Sequence, residues 1–443
     1  MYDLIVACDR NYGIGYKGGL PWHCSDELKI FRKKTKGSVL LLGRRTYEQL
    51  EKLNLPNRTL VMVSSTSENC RTLTDAVNYS KKIYPNKKLF VAGGSGLFKE
   101  ALMHPELIDN VHISFMKGTY ECDTNMPSLD LNEWVIQEQE NHEFFTHNVL
   151  KYELEGEKQY KDLLQDVLSL GTIRAGRNGE TKSLFCRNMT FDLRKGFPLL
   201  TTKKMFFRGI VEELLFFIRG ETNSKLLEEK SINIWKGNTD RKFLDSLKME
   251  SRQEGMMGPM YGYQWRFFGA KYDEKTGKPS EKGVDQLSGI VNLIRNDPNS
   301  RRIIMTDFNP AQADQGVLFP CHSIVLQFYV DNNYLDMFCY NRSQDMFLGT
   351  PFNIASSALL LTLISRITNL QPRYLHMSMG DIHIYKQHYE HAKEQITRMN
   401  YRFPTMRIDK QIHEIVDVEN LTYEDIVLEN YISHPAIKAE MVA

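Results

Sequence analysis

The chain has 443 residues, 42% hydrophobic and 25% charged, which excludes a mainly disordered polymer and leaves apolar side chains for more than one core. Fifty-six Lys and Arg stand against 55 Asp and Glu. The first 155 residues hold 19 of the bases and 20 of the acids, so neither part has the footprint of a DNA- or RNA-binding polycation.

Residues 1–155 alternate short apolar runs with amphipathic segments. The runs 4–8, 39–42, 60–63, 89–92 and 111–115 are too short for most helices and suit strands buried on both faces. Segments 26–34 and 73–83 read as helices between them. The rhythm predicts an α/β domain, a mostly parallel central sheet with flanking helices. Polar residues 151–158 mark a boundary, giving domains 1–155 and 156–443. The second domain reads as α+β. A helical pattern starts at Gln159, and 206–219 is a strongly apolar helix. Strands 324–330 and 335–340 meet at Asp331-Asn332-Asn333, and 354–370 is a Ser- and Leu-rich helix. Residues 270–283 look like an exposed loop. Seven cysteines, with no Cys-x-x-Cys spacing, fit a reducing compartment better than disulfides or zinc. With no signal-peptide pattern and no apolar run of about 18 residues, the expected location is cytoplasmic.

Three features of the first domain carry chemistry. Strand 89–92 runs into Gly93-Gly94-Ser95-Gly96, a turn that lets backbone N–H groups approach a phosphate or simply needs positive φ. Strand 39–42 runs into Gly43-Arg44-Arg45-Thr46, which suits the extra ribose phosphate of NADP or presents two solvated cations. Glu27 and Phe31 share a helix face, a carboxylate beside an aromatic ring that could hold a protonated or amide-bearing heterocycle. The alternative is that Asp26 and Glu27 complement the helix dipole.

Through GIGYKGGLPW (13–22), ELKIFRK (27–33), LLLGRRTYE (41–48), LPNRTLVMVSS (55–65), FVAGGSGLF (90–98) and ECDTNMP (121–127), this domain resembles dihydrofolate reductase. The resemblance implies reduction of dihydrofolate by NADPH. It makes Glu27 the active-site acid, Arg58 the partner of the folate tail, and Phe31 and Ala7 walls of the pterin pocket. It puts Ala7, Ile14, Gly43, Arg44, Arg45, Thr46, Ser64, Ser65, Gly93 and Gly94 on cofactor positions. Ser114 stands where the family usually has a Thr bonded to the acid.

In the second domain Cys321 lies in Leu-Phe-Pro-Cys-His. A buried Cys is usually just a small hydrophobe, and a nucleophile needs cations nearby, for which Arg301, Arg302 and Arg342 are candidates. His383, His388 and His391 invite a zinc reading, but nothing clearly completes such a site, so no metal is expected. Glu213 sits in an otherwise apolar run. Through GFPLLTTKK (196–204), EELLFFIRGETN (212–223), GPMYGYQWRFFG (258–269), DPNSRRII (297–304), FPCH (319–322), QFYV (327–330), NRSQDMFLGTPFNIAS (341–356), GDIHIY (380–385) and HPAIK (434–438), residues 159–443 resemble thymidylate synthase.

That resemblance implies that Cys321 attacks dUMP and that Glu213 organises proton transfers. Arg177, Arg342, Ser343, Arg301 and Arg302 bind the phosphate, the last two from the other subunit of a homodimer. Asn353 reads the uracil edge, His383 and Tyr385 hold the ribose, Asp345 falls on nucleotide and folate positions and Trp235 on a folate position, and Tyr261 lies near the cysteine. Methylenetetrahydrofolate is the cosubstrate. The segment around Arg177 is one residue short, with Arg174 as the fallback. The stretch between Cys321 and Gln327 is one residue long, which predicts a bulge. Phe308 replaces a usual Trp and Lys236 a usual acid. Two domains in this order resemble the bifunctional enzyme of protists and plants. Two other classes share these features. One is a nucleotide- or RNA-binding regulator on the same folds. The other is a cysteine hydrolase, disfavoured because His322 would point away from Cys321 in a regular strand.

Overall fold

The computed structural model describes residues 1–53, 55–131, 133–176 and 179–440. It divides into two compact units, Met1–Leu154 with Met399–Arg402, and Glu155–Arg398 with the rest.

The sheet of the first unit contains β1 (Tyr2–Cys8), β2 (Val39–Gly43), β3 (Thr59–Val63), β4 (Leu89–Val91), β5 (Ile108–Met116), β6 (Trp134–Asn141) and β7 (Phe145–Tyr152). Its order is β6-β7-β5-β1-β4-β2-β3, with Asn400–Tyr401 parallel to the outer edge of β6. The pairs β1–β4, β1–β5, β2–β3 and β2–β4 are parallel, and β5–β7 and β6–β7 antiparallel. The apolar runs seen in the sequence supply the parallel strands, and β2 shows why: Val39, Leu40, Leu41 and Leu42 are all fully buried. Helices α1 (Ser25–Thr35), α2 (Arg44–Glu51), α3 (Leu73–Ile83) and α4 (Ser95–Leu102) follow the strands. Helix α1 has Asp26 and Glu27 in its first turn and Arg32, Lys33 and Lys34 in its last, matching its dipole. Because β1, β2, β3 and β4 are parallel, their carboxyl ends bring Ala7, Gly43, Ser64 and Gly93 to one edge of the sheet, where α/β folds bind ligands.

The second unit holds α5 (Glu157–Leu170), β8 (Thr172–Gly176), β9 (Gly179–Asp192), α6 (Phe207–Ile218), α7 (Gln286–Asn296), β10 (Ile304–Thr306), β11 (Val325–Asp331), β12 (Tyr334–Asp345), α8 (Gly349–Ile367) and β13 (Gln371–Tyr385). Its sheet runs β8-β9-β13-β12-β11-β10. Every pair is antiparallel except β12–β13, for which α8 is the crossover. That apolar helix, long enough to span a bilayer, is 72% buried inside the protein. One sheet face, with Leu326, Phe328, Met337 and Met377, packs in the core. On the other, Ile304, Tyr329 and Phe338 are 48, 65 and 39% exposed.

Two differences from the sequence reading have physical causes, and the bulge expected after Cys321 is present. Segment 399–402, numbered within the second domain, packs with the first unit because its backbone extends the β6 edge. Loop 270–283 is pinned, not free: Ala270 and Tyr272 are buried, and the Tyr272 hydroxyl lies 3.0 Å from Thr222 Oγ1. The extra residue after Cys321 makes a bulge. Ser323 takes φ +57°, the Ile324 N–H donates to Tyr340 O, and Val325 is in register with the same Tyr340, so two residues face one.

Candidate active sites

The edge of the first sheet opens into a cleft of about 900 Å³. Every cofactor position expected from the sequence lines it: Ala7, Ile14, Gly43, Arg44, Arg45, Thr46, Ser64, Ser65, Gly93 and Gly94. So do Glu27 and Phe31. A Cβ on Gly94 would stand 3.1 Å from Thr46 Oγ1, and Gly93 has φ +118°, so this turn keeps its backbone clear of side chains at the start of α4. Two arginines, three hydroxyls and this turn fit an anionic dinucleotide. Glu27 is 6% exposed; burial raises its pKa, and the Ser114 hydroxyl pulls it back.

Arg58 does not line the cleft. Its guanidinium donates to Thr35 Oγ1, Pro56 O and Arg32 O at 2.9, 2.7 and 2.5 Å, which fastens it to the end of α1. Arg71 does line it and escaped the sequence reading. Its signal was a lone cation beyond β3, close in sequence to Ser64 and Ser65.

In the second unit Cys321 lies 3.3 Å from the Tyr261 hydroxyl, and the Ser343 N–H donates to Cys321 O. The Arg342 Nε–H donates to Pro320 O at 3.0 Å, and its guanidinium lies over the Phe319 ring. Burial pushes the thiol's pKa up, while Tyr261 and Arg342 draw it down. Arg342 is therefore the one of the expected arginines that acts on the sulfur within a single chain. Arg301 and Arg302 are exposed, with no side-chain hydrogen bond or ion pair among the described residues. Arg177 lies outside the described residues. The fallback Arg174 pairs with Asp381 at 3.4 Å.

His383 Nδ1 lies 3.1 Å from the same Asp381 carboxylate, which accepts when that nitrogen carries the proton, and its ring packs edge-on against Tyr385 at 5.2 Å. Strand register sets Asp345 beside His383 and Ser343 beside Asp381. The Asp345 carboxylate accepts from the Phe347 and Leu348 N–H groups, shaping the turn into α8. The Asn353 amide donates to Gln344 Oε1 at 3.1 Å. Glu213, on α6, accepts from Trp235 Nε1 at 2.8 Å, and burial lifts its pKa to about 7. Trp235 and Tyr261 pack at 5.9 Å, which links Glu213 to the cysteine.

His322 overturns one expectation. Its ring stacks on Tyr261 at 4.4 Å, beside the site, because Ser323 breaks the strand and the alternation rule does not reach residue 322. Burial lowers its pKa to about 4. It is therefore no base for Cys321, but it is part of the site's wall. His388 and His391 pack on Phe347, and among the described residues no cluster of His, Cys, Asp or Glu is placed to hold a metal.

The dihydrofolate reductase family model matches residues 1–158, and the thymidylate synthase family model residues 158–443. A bifunctional dihydrofolate reductase-thymidylate synthase of Paramecium tetraurelia is 38% identical over 463 residues, covering 99% of this chain and 98% of its own. Those of Zea mays and Plasmodium chabaudi are 35 and 39% identical, over 99 and 87% of this chain and 96 and 66% of theirs. The chain belongs to the bifunctional dihydrofolate reductase–thymidylate synthase family.

The synthase unit carries a pH-dependent stability cost at Glu213. Its folded pKa, about 7, exceeds the ordinary 4.5, so the folded state holds the extra proton between those values and loses stability as pH rises through them. Glu213→Gln keeps the Trp235 bond and removes the charge. We expect it to raise the urea stability of the synthase unit by about 3 kcal/mol at pH 8 and by almost nothing near pH 4.5. Equal gains at both pH values would show that the carboxyl is not desolvated.

Proposed function

We propose that the two units run consecutive steps on one folate. The synthase methylates dUMP with methylenetetrahydrofolate and releases dihydrofolate, and the reductase returns it to tetrahydrofolate with NADPH. Both activities belong to the family. The observation that carries the residue assignment is that each unit gathers its own reactive groups: Cys321, Tyr261 and Arg342 with Glu213 in one, Glu27 lining an anion-suited cleft in the other.

In the synthase, Cys321 as thiolate adds to C6 of the uracil ring, which makes C5 the nucleophile toward the one-carbon unit. Glu213, titrating near neutrality, serves the proton transfers that follow. Bound phosphate near Arg342 is held by guanidinium forks. Asn353 reads the base, and His383 and Tyr385 face the sugar.

In the reductase, NADPH supplies the hydride. Arg44, Arg45, Thr46, Ser64 and Ser65 bind its phosphates and ribose, and the Gly93–Gly94 turn lets the backbone approach them. Ala7, Ile14 and Phe31 wall the pterin. Glu27 holds the pterin's amide edge and, its pKa raised by burial, aids protonation. Arg58, held at the end of α1 by three hydrogen bonds, would meet the folate tail with its two remaining N–H groups.

We place the enzyme in the cytoplasm as a homodimer built on the open face of the synthase sheet. Ile304, Gln327 and Phe338 lie in one cross-strand row there, with Tyr329 on the same face, a largely apolar surface near which Arg301 and Arg302 are exposed and without a side-chain partner among the described residues. The test is a coupled assay. With dUMP, methylenetetrahydrofolate and NADPH supplied together, dTMP should accumulate and NADPH be consumed in equal amounts. Withholding dUMP should stop both. NADPH oxidation without dUMP and dihydrofolate, or dTMP without oxidation, would overturn the scheme.

A further inference from the structure

Behind Glu27 lies a buried polar chain for which the reaction as described has no use. Ser114 and His112 on β5, His147 on β7 and Asp3 on β1 are each no more than 5% exposed. Ser114 is in register with Ala7 on one side and His147 on the other. Its Oγ lies 3.0 Å from His147 Nδ1. The His147 ring stacks on His112, with centroids 6.2 Å apart and planes at 18°. His112 Nε2 is 2.7 Å from Asp3 Oδ2, and Lys88 Nζ reaches the same oxygen at 2.6 Å from the surface.

His147 sits among His112, Lys34 on α1, Glu140 on β6 and His142 in the β6–β7 turn, and it is neutral at physiological pH because burial lowers its pKa to about 4. It therefore carries one ring proton. Nδ1 faces Ser114, whereas Nε2 is buried and has no hydrogen-bond partner among the described residues. An orphaned buried N–H is costlier and rarer than an unused lone pair. The proton belongs on Nδ1, from which it donates to Ser114 Oγ. That hydroxyl then has no nitrogen to donate to, and its own hydrogen turns to Glu27. The opposite tautomer would take the Ser114 hydrogen for itself and leave the hydroxyl only able to accept.

We propose that His147 is a positioning residue, one that fixes the Ser114 hydroxyl as a donor to the Glu27 carboxylate and so sets the pH at which the reductase loses its acid. The inference rests on Glu27 being that acid. The Ser114 hydroxyl opposes the effect of burial on Glu27 by holding the charged form. Without His147 the hydroxyl turns freely, Glu27 keeps its proton to higher pH, and reduction persists further into the alkaline range.

The test is the kcat–pH profile of dihydrofolate reduction in the full-length enzyme. His147→Phe keeps a ring against His112 and removes the nitrogens. It should move the alkaline fall to higher pH, with a loss at low pH well short of the roughly 10²–10⁴-fold that removal of a general acid costs. His147→Asn, with an amide N–H near the Nδ1 position, should return the fall toward its native place. Ser114→Ala should shift the profile as His147→Phe does, and the double variant should shift it no further. Additive shifts, or a native profile in His147→Phe, overturn the proposal. A native profile in Glu27→Gln would instead refute the assignment of Glu27. Should His147→Phe fail to fold, the ¹⁵N shifts of His147 in the native enzyme decide: protonation at Nδ1 supports the proposal, and protonation at Nε2 ends it.

Discussion

Cys321→Ser is expected to lower dTMP formation by at least about 10⁴-fold, an effect of the size seen when a catalytic nucleophile is removed, and to leave dihydrofolate reduction unchanged in the same sample. A hydroxyl in that place would need a strong base to become nucleophilic, and neither ring beside the sulfur is one. The Tyr261 hydroxyl is itself pushed well above its ordinary pKa by burial, and His322 is held neutral against its ring. A thiol needs less. It has Arg342 already, and a bound phosphate would bring further guanidiniums close. Every residue lining the reductase cleft comes from the first 124 positions, so the substitution touches none of them. Both assays on one preparation, with circular dichroism to establish folding, measure this. Loss of both activities in a folded protein would overturn the division of labour.

The legible and illegible parts of this chain separate along physical lines. Strands buried on both faces write themselves as unbroken apolar runs, as β1, β2 and β4 do, and the half-buried edge strand β3 and the antiparallel-paired β5 also fall on such runs. Strand β6 does not. Trp134, Val135 and Ile136 are buried and the residues from Glu138 onward are exposed, so it shows neither an apolar run nor a clean alternation. The contribution of 399–402 to the first unit is an edge pairing made by backbone groups, which leaves no pattern in side chains. At the synthase site the structure brings together Cys321, Tyr261, Glu213 and Trp235, residues that the motifs named singly. The placement of His322 required the φ of Ser323, which no periodicity encodes. Arg71 needed the cleft itself. The buried His112–Asp3 and His147–Ser114 pairs join residues 109 and 33 positions apart, a proximity that only the strand order creates.

The arginine pair offers the second large effect, because among the described residues nothing engages its side chains. Arg302→Ala should cut dTMP formation sharply, since a guanidinium fork to a desolvated dianion has no replacement. Yet among the described residues no hydrogen bond or ion pair ties the Arg302 side chain to anything, and Cys321 responds to Arg342 alone of the described arginines expected there. If the pair completes the partner's site, a dimer of one Arg302→Ala subunit and one Cys321→Ser subunit has one whole site, because the intact cysteine of the first subunit receives the intact arginine of the second. Two nearly inactive variants, unfolded together and refolded, should then regain about a quarter of native activity: half the dimers are mixed, and each has one working site of two. Sedimentation should give about twice 51.5 kDa for native and mixed protein alike. Were Arg302 to serve its own chain, mixing would restore nothing, because no subunit would hold both groups. A monomer in solution would refute shared sites altogether, and the apolar row from Ile304 to Phe338 would then need another cover.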